Sequence, residues 1–134
     1  MRLARESGKH WERLEINQRY VTCRRMHEGV AWFDFAELCD GPRSQNDYIE
    51  LARIFNAVLI SGVPEFVPEI DDQARRFVNL VDEFYDRNVK LVVAAAKPLL
   101  ELYSGGNLEF VFQRTISRLQ EMQSHGYLAR EDRP

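Results

Sequence analysis

The 134 residues fit a single domain, and a chain of this length can bury about two thirds of its unfolded surface, enough for a sizeable core. With 45% apolar residues, 29% charged residues and a net charge of -3, the composition is that of a soluble globular protein and excludes intrinsic disorder. The mild acidity gives no whole-chain attraction to nucleic acid or to an anionic membrane, and nucleic acid is not expected as a partner.

Along the chain, residues 1–19 are mostly polar and weakly periodic, which predicts a weakly ordered lead-in. Tyr20 to Arg25 and Val30 to Phe35 are rich in strand formers. With Glu28-Gly29 between them they predict a β-hairpin closed by a loop of several residues. Gly41 and Pro42 mark a loop, after which Asn46 or Asp47 is placed to cap a helix running to about Phe55, with Tyr48, Leu51, Ala52 and Phe55 on one face. Ala57 to Ile60 reads as a short apolar strand, ended by Gly62, Pro64 and Pro68.

Asp71 and Asp72 open the strongest helix, where acids suit the positive end of the dipole. Phe77, Leu80, Val81, Phe84 and Tyr85 recur at helical spacing and define its core face. Asn88 ends it. Lys90 to Ala95 is a continuous apolar strand, as expected for one covered on both faces. A last helix runs from about Leu108 to Ser124, burying Phe112, Ile116, Leu119 and Met122 or Gln123, with Gly126 as its stop. Strands alternating with helices predict an α/β fold: a mostly parallel sheet with crossover helices and an N-terminal β-hairpin. The single domain is expected over 20–128, with a tail at 129–134.

The amino terminus lacks the apolar centre of a secretory signal. The longest apolar stretch, Leu91 to Ala96, is strand-sized rather than membrane-spanning. Both features predict a cytoplasmic protein without an integral membrane segment. Cys23 and Cys39 follow no disulfide or metal pattern, and His10, His27 and His125 are scattered, so reduced thiols and no metal site are expected.

Several motifs bear on chemistry. A phosphate-binding loop needs Gly-x-x-x-x-Gly-Lys-Ser/Thr, whose backbone amides cradle phosphates while the lysine reaches the outer ones. The sequence has none, and Gly105-Gly106 is followed by Asn107-Leu108 rather than by lysine. Leu80-Val81-Asp82-Glu83 imitates a Walker B strand, but the helical period places both acids on a solvated helix face.

Arg75-Arg76, near the start of the same helix, oppose its dipole. That misfit points either to an anionic partner or to pairing with Asp71, Asp72 or Asn79. Arg114 and Arg118, four apart on the last helix, could together hold a phosphate. The plainer alternative is an exposed face with an Arg118–Glu121 pair. Phe33 and Phe35 share a strand face and read as core rather than as a stacking platform, leaving Asp34 and Trp32 on the other side.

Trp32-Phe33-Asp34-Phe35-Ala36-Glu37-Leu38-Cys39 with Asp47-Tyr48, then Gly62-Val63-Pro64, Ala74-Arg75-Arg76-Phe77, Leu80 to Asp86 and Arg114 to Ser124 occur in an order that resembles the C-terminal part of the ZapE-type (AFG-family) P-loop ATPases. The likeness runs from about residue 20 to 128. These are AAA+-related enzymes, linked to division-ring control in bacteria and to protein quality control in mitochondria.

The resemblance implies ATP and Mg²⁺ in the intact protein, with the phosphate-binding loop, Walker B strand and first sensor upstream. No cofactor is expected for this chain alone, which is expected not to hydrolyse ATP. The implied partners are the rest of the ATPase core or a neighbouring subunit, and a division-ring protein. The resemblance also makes Arg114 and Arg118 candidate catalytic residues, and Arg75 and Arg76 candidate nucleotide-binding residues. The alternative is a non-catalytic protein-interaction module with no nucleotide role. Arginines converging on one concave surface would favour the first reading, and arginines salt-bridged on separate faces the second.

Overall fold

A computed structural model describes residues 4–6 and 9–122. Three strands, β1 (Ala4–Glu6), β2 (Lys9–Ile16) and β3 (Arg19–Cys23), form an antiparallel sheet in the order β1-β2-β3. Four more, β4 (Arg25–His27), β5 (Val30–Asp34), β6 (Ala57–Val63) and β7 (Lys90–Ala95), form a second sheet in the order β4-β5-β6-β7. In the second sheet β4 runs antiparallel to β5, whereas β5, β6 and β7 are parallel. Helix α1 (Phe35–Cys39) and helix α2 (Gln45–Ile54) lie between β5 and β6. Helix α3 (Asp71–Asp86) lies between β6 and β7, and helix α4 (Glu109–Met122) follows β7. The fold is α/β, with a mostly parallel sheet and an antiparallel hairpin before it.

The amino-terminal region departs from the sequence reading. Where weak periodicity predicts a loose lead-in over 1–19, β1 and β2 are strands, and Ile16 is buried. From Glu12 to Ile16, Glu12 and Ile16 are buried while Arg13 and Glu15 are exposed, so a charged residue takes an inward position and masks the alternation in the sequence. Glu12 is 5% exposed and its carboxylate accepts the Met26 N–H at 3.1 Å, tying β2 to β4.

The predicted strand over Tyr20 to Arg25 is divided: β3 pairs with β2, and pairing with β5 begins at Arg24, whose N–H donates to Trp32 O at 2.7 Å. The β4–β5 turn is tighter than expected. His27 faces Val30 directly, leaving only Glu28 (φ 47°) and Gly29 (φ 84°) between them. Two consecutive positive φ values match the twist of a two-residue hairpin. A Cβ on Gly29 would stand 3.0 Å from Asn56 Nδ2.

Strand β5 ends at Asp34, so Phe35 opens α1 instead of closing a strand. Ser44, rather than Asn46 or Asp47, caps α2, and Asp47 closes the capping box by accepting the Ser44 N–H at 3.0 Å. Strand β6 continues past Ile60 to Val63. Its register shifts between those residues, where Gly62 adopts φ 75°, so the glycine forms a bulge instead of ending the strand.

The core lies on one face of the parallel sheet. Ala31 and Phe33 of β5, Val58 and Ile60 of β6 and Leu91 of β7 are buried on that face beneath the helices. Phe77, Leu80, Val81 and Phe84 of α3 are buried as the periodicity predicts, together with Phe112, Leu119 and Met122 of α4. Phe35, Phe66, Phe77 and Phe112 pack ring against ring, with centroids 5.2–6.3 Å apart among the contacting pairs. Tyr85 and Ile116 are only partly buried, so the expected core position of Ile116 is corrected to the margin. Buried Thr115 takes the inward position on α4 instead. Gln123, Ser124, Gly126 and the tail at 129–134 lie outside the described residues.

Strand β7 differs from expectation as well. It closes the sheet among the described residues, with only Leu91 buried and Val92 43% exposed. Its continuous apolar run therefore does not report cover on both faces.

Candidate functional site

The four arginines singled out from the sequence do not converge on one another. Arg114 and Arg118 project from α4 toward α3, and both meet Asp82, at 3.0 Å and 2.7 Å. Arg118 also lies over the Tyr85 ring, 4.6 Å from its centroid. Tyr85 OH donates to Glu121 at 2.6 Å, so Glu121 serves Tyr85 and the expected Arg118–Glu121 pair is replaced by Arg118–Asp82. Asp82 thus anchors α4 to α3 through two guanidinium groups, an arrangement that holds the helices in register. Arg76 donates to Cys39 O at 3.1 Å, linking α3 to α1. Arg75 is exposed.

The Walker-B-like acids lie inside α3, as the period predicts, but Glu83 is not solvated. It is 7% exposed and accepts from Arg87 at 2.6 Å and from Gln45 of α2. Its role is to join α2 to α3. Around Cys39, burial first of all pushes the thiol up to about 12, and it also raises the Tyr48 hydroxyl, which donates to Leu38 O at 2.7 Å. This cluster is a sealed packing site, not a reactive one.

A polar constellation missed by the sequence reading sits at the carboxyl ends of β5 and β6. Arg24 Nε donates to Asp34 Oδ1 at 2.6 Å, Ser61 Oγ donates to the same oxygen at 3.2 Å, and Trp32 Nε1 donates to Ser61 Oγ at 2.8 Å. The Arg24 guanidinium lies 5.5 Å from the Trp32 ring centroid. Asp34 is paired directly with Ser61 in the parallel ladder, which explains why residues 27 apart in sequence meet. In open α/β sheets the carboxyl ends of parallel strands are where binding sites form. The sequence offered one hint, Trp32 and Asp34 sharing the face away from the core, but nothing in it located Ser61 or Arg24 beside them.

The N-termini of α2, α3 and α4 do not suit a nucleoside triphosphate. Helix α3 opens with Asp71 and Asp72. The Asp71 carboxylate already takes the Asn107 N–H at 3.3 Å and the Tyr103 hydroxyl at 3.2 Å, while the Leu108 N–H is given to Tyr103 at 2.8 Å. At α2 the Ser44 N–H is held by Asp47. Phosphates need free amides and positive potential, and these termini supply acids and occupied donors. Among the described residues no group of three or more His, Cys, Asp and Glu side chains gathers to hold a metal ion, and no helix is long and apolar enough to cross a membrane.

The fold and its surfaces describe an α/β protein with a parallel sheet layered by helices on one face and a polar network at its strand ends. The chain belongs to the AFG1-like ATPase family, whose family model matches residues 2–131. It is 50% identical over 118 residues to the cell division protein ZapE of Escherichia coli K12, a match covering 88% of this chain and 32% of that relative, in the relative's C-terminal part. It is also 35% identical over 152 residues to lactation elevated protein 1 homolog B of Danio rerio, covering 90% of this chain and 30% of that protein. The chain therefore spans about a third of the length of the curated relatives it matches. No solved structure matches it.

Proposed function

We propose that this chain is the C-terminal mechanical segment of an ATP-hydrolysing protein, acting with a nucleotide-binding core made of residues outside it. The observation that carries this reading is the 50% identity to ZapE across 88% of the chain. ATP and Mg²⁺ belong to that core. The segment's share is to complete the folded machine and to pass the consequence of hydrolysis to a protein partner in the cytoplasm. The name of the bacterial relative supports a partner in the division apparatus.

Within this reading the arginines differ in availability. Arg75 is exposed and is the candidate best placed to meet a nucleotide phosphate or a neighbouring subunit, with Arg76 beside it but engaged on α1. Arg114 and Arg118 could reach an anion only in competition with Asp82. The test is ATP turnover by a full-length protein carrying Arg75→Ala, Arg76→Ala, Arg114→Ala or Arg118→Ala. An arginine on a transferring phosphate is worth roughly 10³–10⁵ in rate, so the loss of most activity in at least one folded variant is expected. Wild-type turnover in all four would refute a nucleotide role for these arginines.

A second reading, a non-catalytic interaction module, is supported by one specific observation. Three of the four arginines are engaged within the fold, two by Asp82 and one by the Cys39 carbonyl. Unchanged turnover together with lost partner binding in the Arg75→Ala protein would favour it.

A further inference from the structure

The parallel sheet has two faces, and among the described residues the helices cover one of them. Opposite the core, Val30 and Trp32 of β5, Leu59 of β6 and Val92 of β7 line up across the ladder, since Trp32 pairs with Leu59 and Leu59 with Val92. Val30 is 50% exposed and Val92 43% exposed, while Trp32 and Leu59 are half-buried. A shallow cavity of about 240 Å³ opens at the β4 side of this face, where apolar Met26, Val30, Ala31, Trp32 and Leu59 meet the exposed Arg25 and His27. The Arg24–Asp34–Ser61–Trp32 network borders the same face at the strand ends and fixes the indole in place.

Sheets built from parallel strands occur almost only with both faces covered, because crossover connections and neighbouring elements shield the apolar side chains of each. Here, among the described residues, one face is apolar at its centre and carries no helix. The curated relatives carry about two thirds of their length outside the stretch this chain matches, which is ample chain to supply the missing layer.

We infer that the Val30–Trp32–Leu59–Val92 face is the docking surface for the nucleotide-binding part of the full-length protein. The segment seated on it is an amphipathic helix, with an apolar stripe over Trp32 and Leu59 and an acidic side chain toward Arg25. The inference deepens the proposed function, since it names the surface through which this segment joins the ATPase core. Fixed to a sheet held by α1, α3 and α4, such a layer would transmit movement of the core directly into β5 and β6. It would also place the Asp34–Ser61 network at the junction of the two parts.

The experiment reads accessibility in the protein itself. Val92→Cys is introduced both into this chain and into the full-length protein, and labelling by a maleimide is timed under native conditions. The native thiols, Cys23 and Cys39, are buried, and Leu100→Cys, at a position 76% exposed here, serves as the accessible control. Val92→Cys should label readily in this chain and at least about tenfold more slowly in the full-length protein, the behaviour of a site that reacts only when the layer opens. Leu100→Cys should label at a similar rate in both.

Equal labelling of Val92→Cys in both proteins would overturn the inference. Protection that appears in this chain alone as its concentration rises, or that vanishes on diluting the full-length protein, would also overturn it, since the face would then join copies. A second variant, Leu59→Asp, should lower the urea midpoint of this chain modestly, through the lost cross-strand contacts with Trp32 and Val92, and leave it folded, while making this segment separable from the core by limited proteolysis of the full-length protein. A full-length Leu59→Asp protein as resistant as wild type counts against the docking. ATP turnover of the arginine variants is measured separately, so a protected face with unaffected turnover would sustain the docking and sink the nucleotide role.

Discussion

Asp47 offers the most direct test of how the amino-terminal sheet is joined to the helical layer. Its carboxylate is 1% exposed, yet it receives three donors: Asn17 Nδ2 at 3.0 Å, Arg19 at 2.7 Å and the Ser44 N–H at 3.0 Å. Asp47→Ala removes all three. The Ser44 bond belongs to the α2 capping box, and losing a cap costs about 1 kcal/mol. A hydrogen bond to a charged group contributes about 1.5–3 kcal/mol when desolvated. The Arg19 side chain is 41% exposed and can regain water, so its share is discounted to about 1 kcal/mol. With the Asn17 bond added, the expected loss is about 2–4 kcal/mol.

Urea denaturation of the purified chain is the assay. With a slope of about 1–3 kcal/mol per molar, the midpoint should fall by roughly 1–2 M without a change of slope. A double-mutant cycle with Arg19→Met separates the ion pair, and the two substitutions should couple by about 1 kcal/mol. If Asp47→Ala shifts stability by less than about 0.5 kcal/mol, the assignment of Asp47 as the joint between β3 and α2 is wrong.

The remaining expectations concern the core, the thiols and the chemistry. Leu80→Ala, at a fully buried position of α3, should cost about 2–5 kcal/mol, whereas Ile116→Ala, at a partly buried one, should cost clearly less in the same urea titration. Burial raises the Cys39 thiol from its ordinary value of 9.0 to about 12, and burial with the Glu12 charge raises Cys23 to about 11. Because the folded state holds these thiols neutral, their contribution to stability is fully present below pH 9 and is lost as pH rises toward 11–12. Urea midpoints measured from pH 8 upward should therefore decline above about pH 9, and less steeply in Cys39→Ala. The isolated chain with Mg²⁺ and ATP should release no phosphate in sustained turnover, since no phosphate-binding loop is present. Turnover that survives removal of contaminating ATPases would contradict this.

Local pattern was enough for the α/β class, for α3 and for the approximate place of β5, β6, β7 and α4. In α3 five apolar residues recur at helical spacing, and a helix that must bury one stripe can do little else with them. The family was legible too, because short motifs such as the one from Trp32 to Cys39 are contiguous in sequence. What contacts those elements make was not legible. Asp82 reads as a solvated acid until α4 brings Arg114 and Arg118 to it, and Glu83 until α2 brings Gln45. The apolar run of β7 looks like a strand covered on both faces, although only its place in the sheet decides which side chains find neighbours. Ser61 and Asp34, 27 residues apart, meet because parallel pairing sets their register. Periodicity records which side of an element is apolar. Which partner covers that side, or leaves it without a helix among the described residues as on the Trp32 face, is set by packing between elements distant in the chain, and so belongs to the tertiary structure.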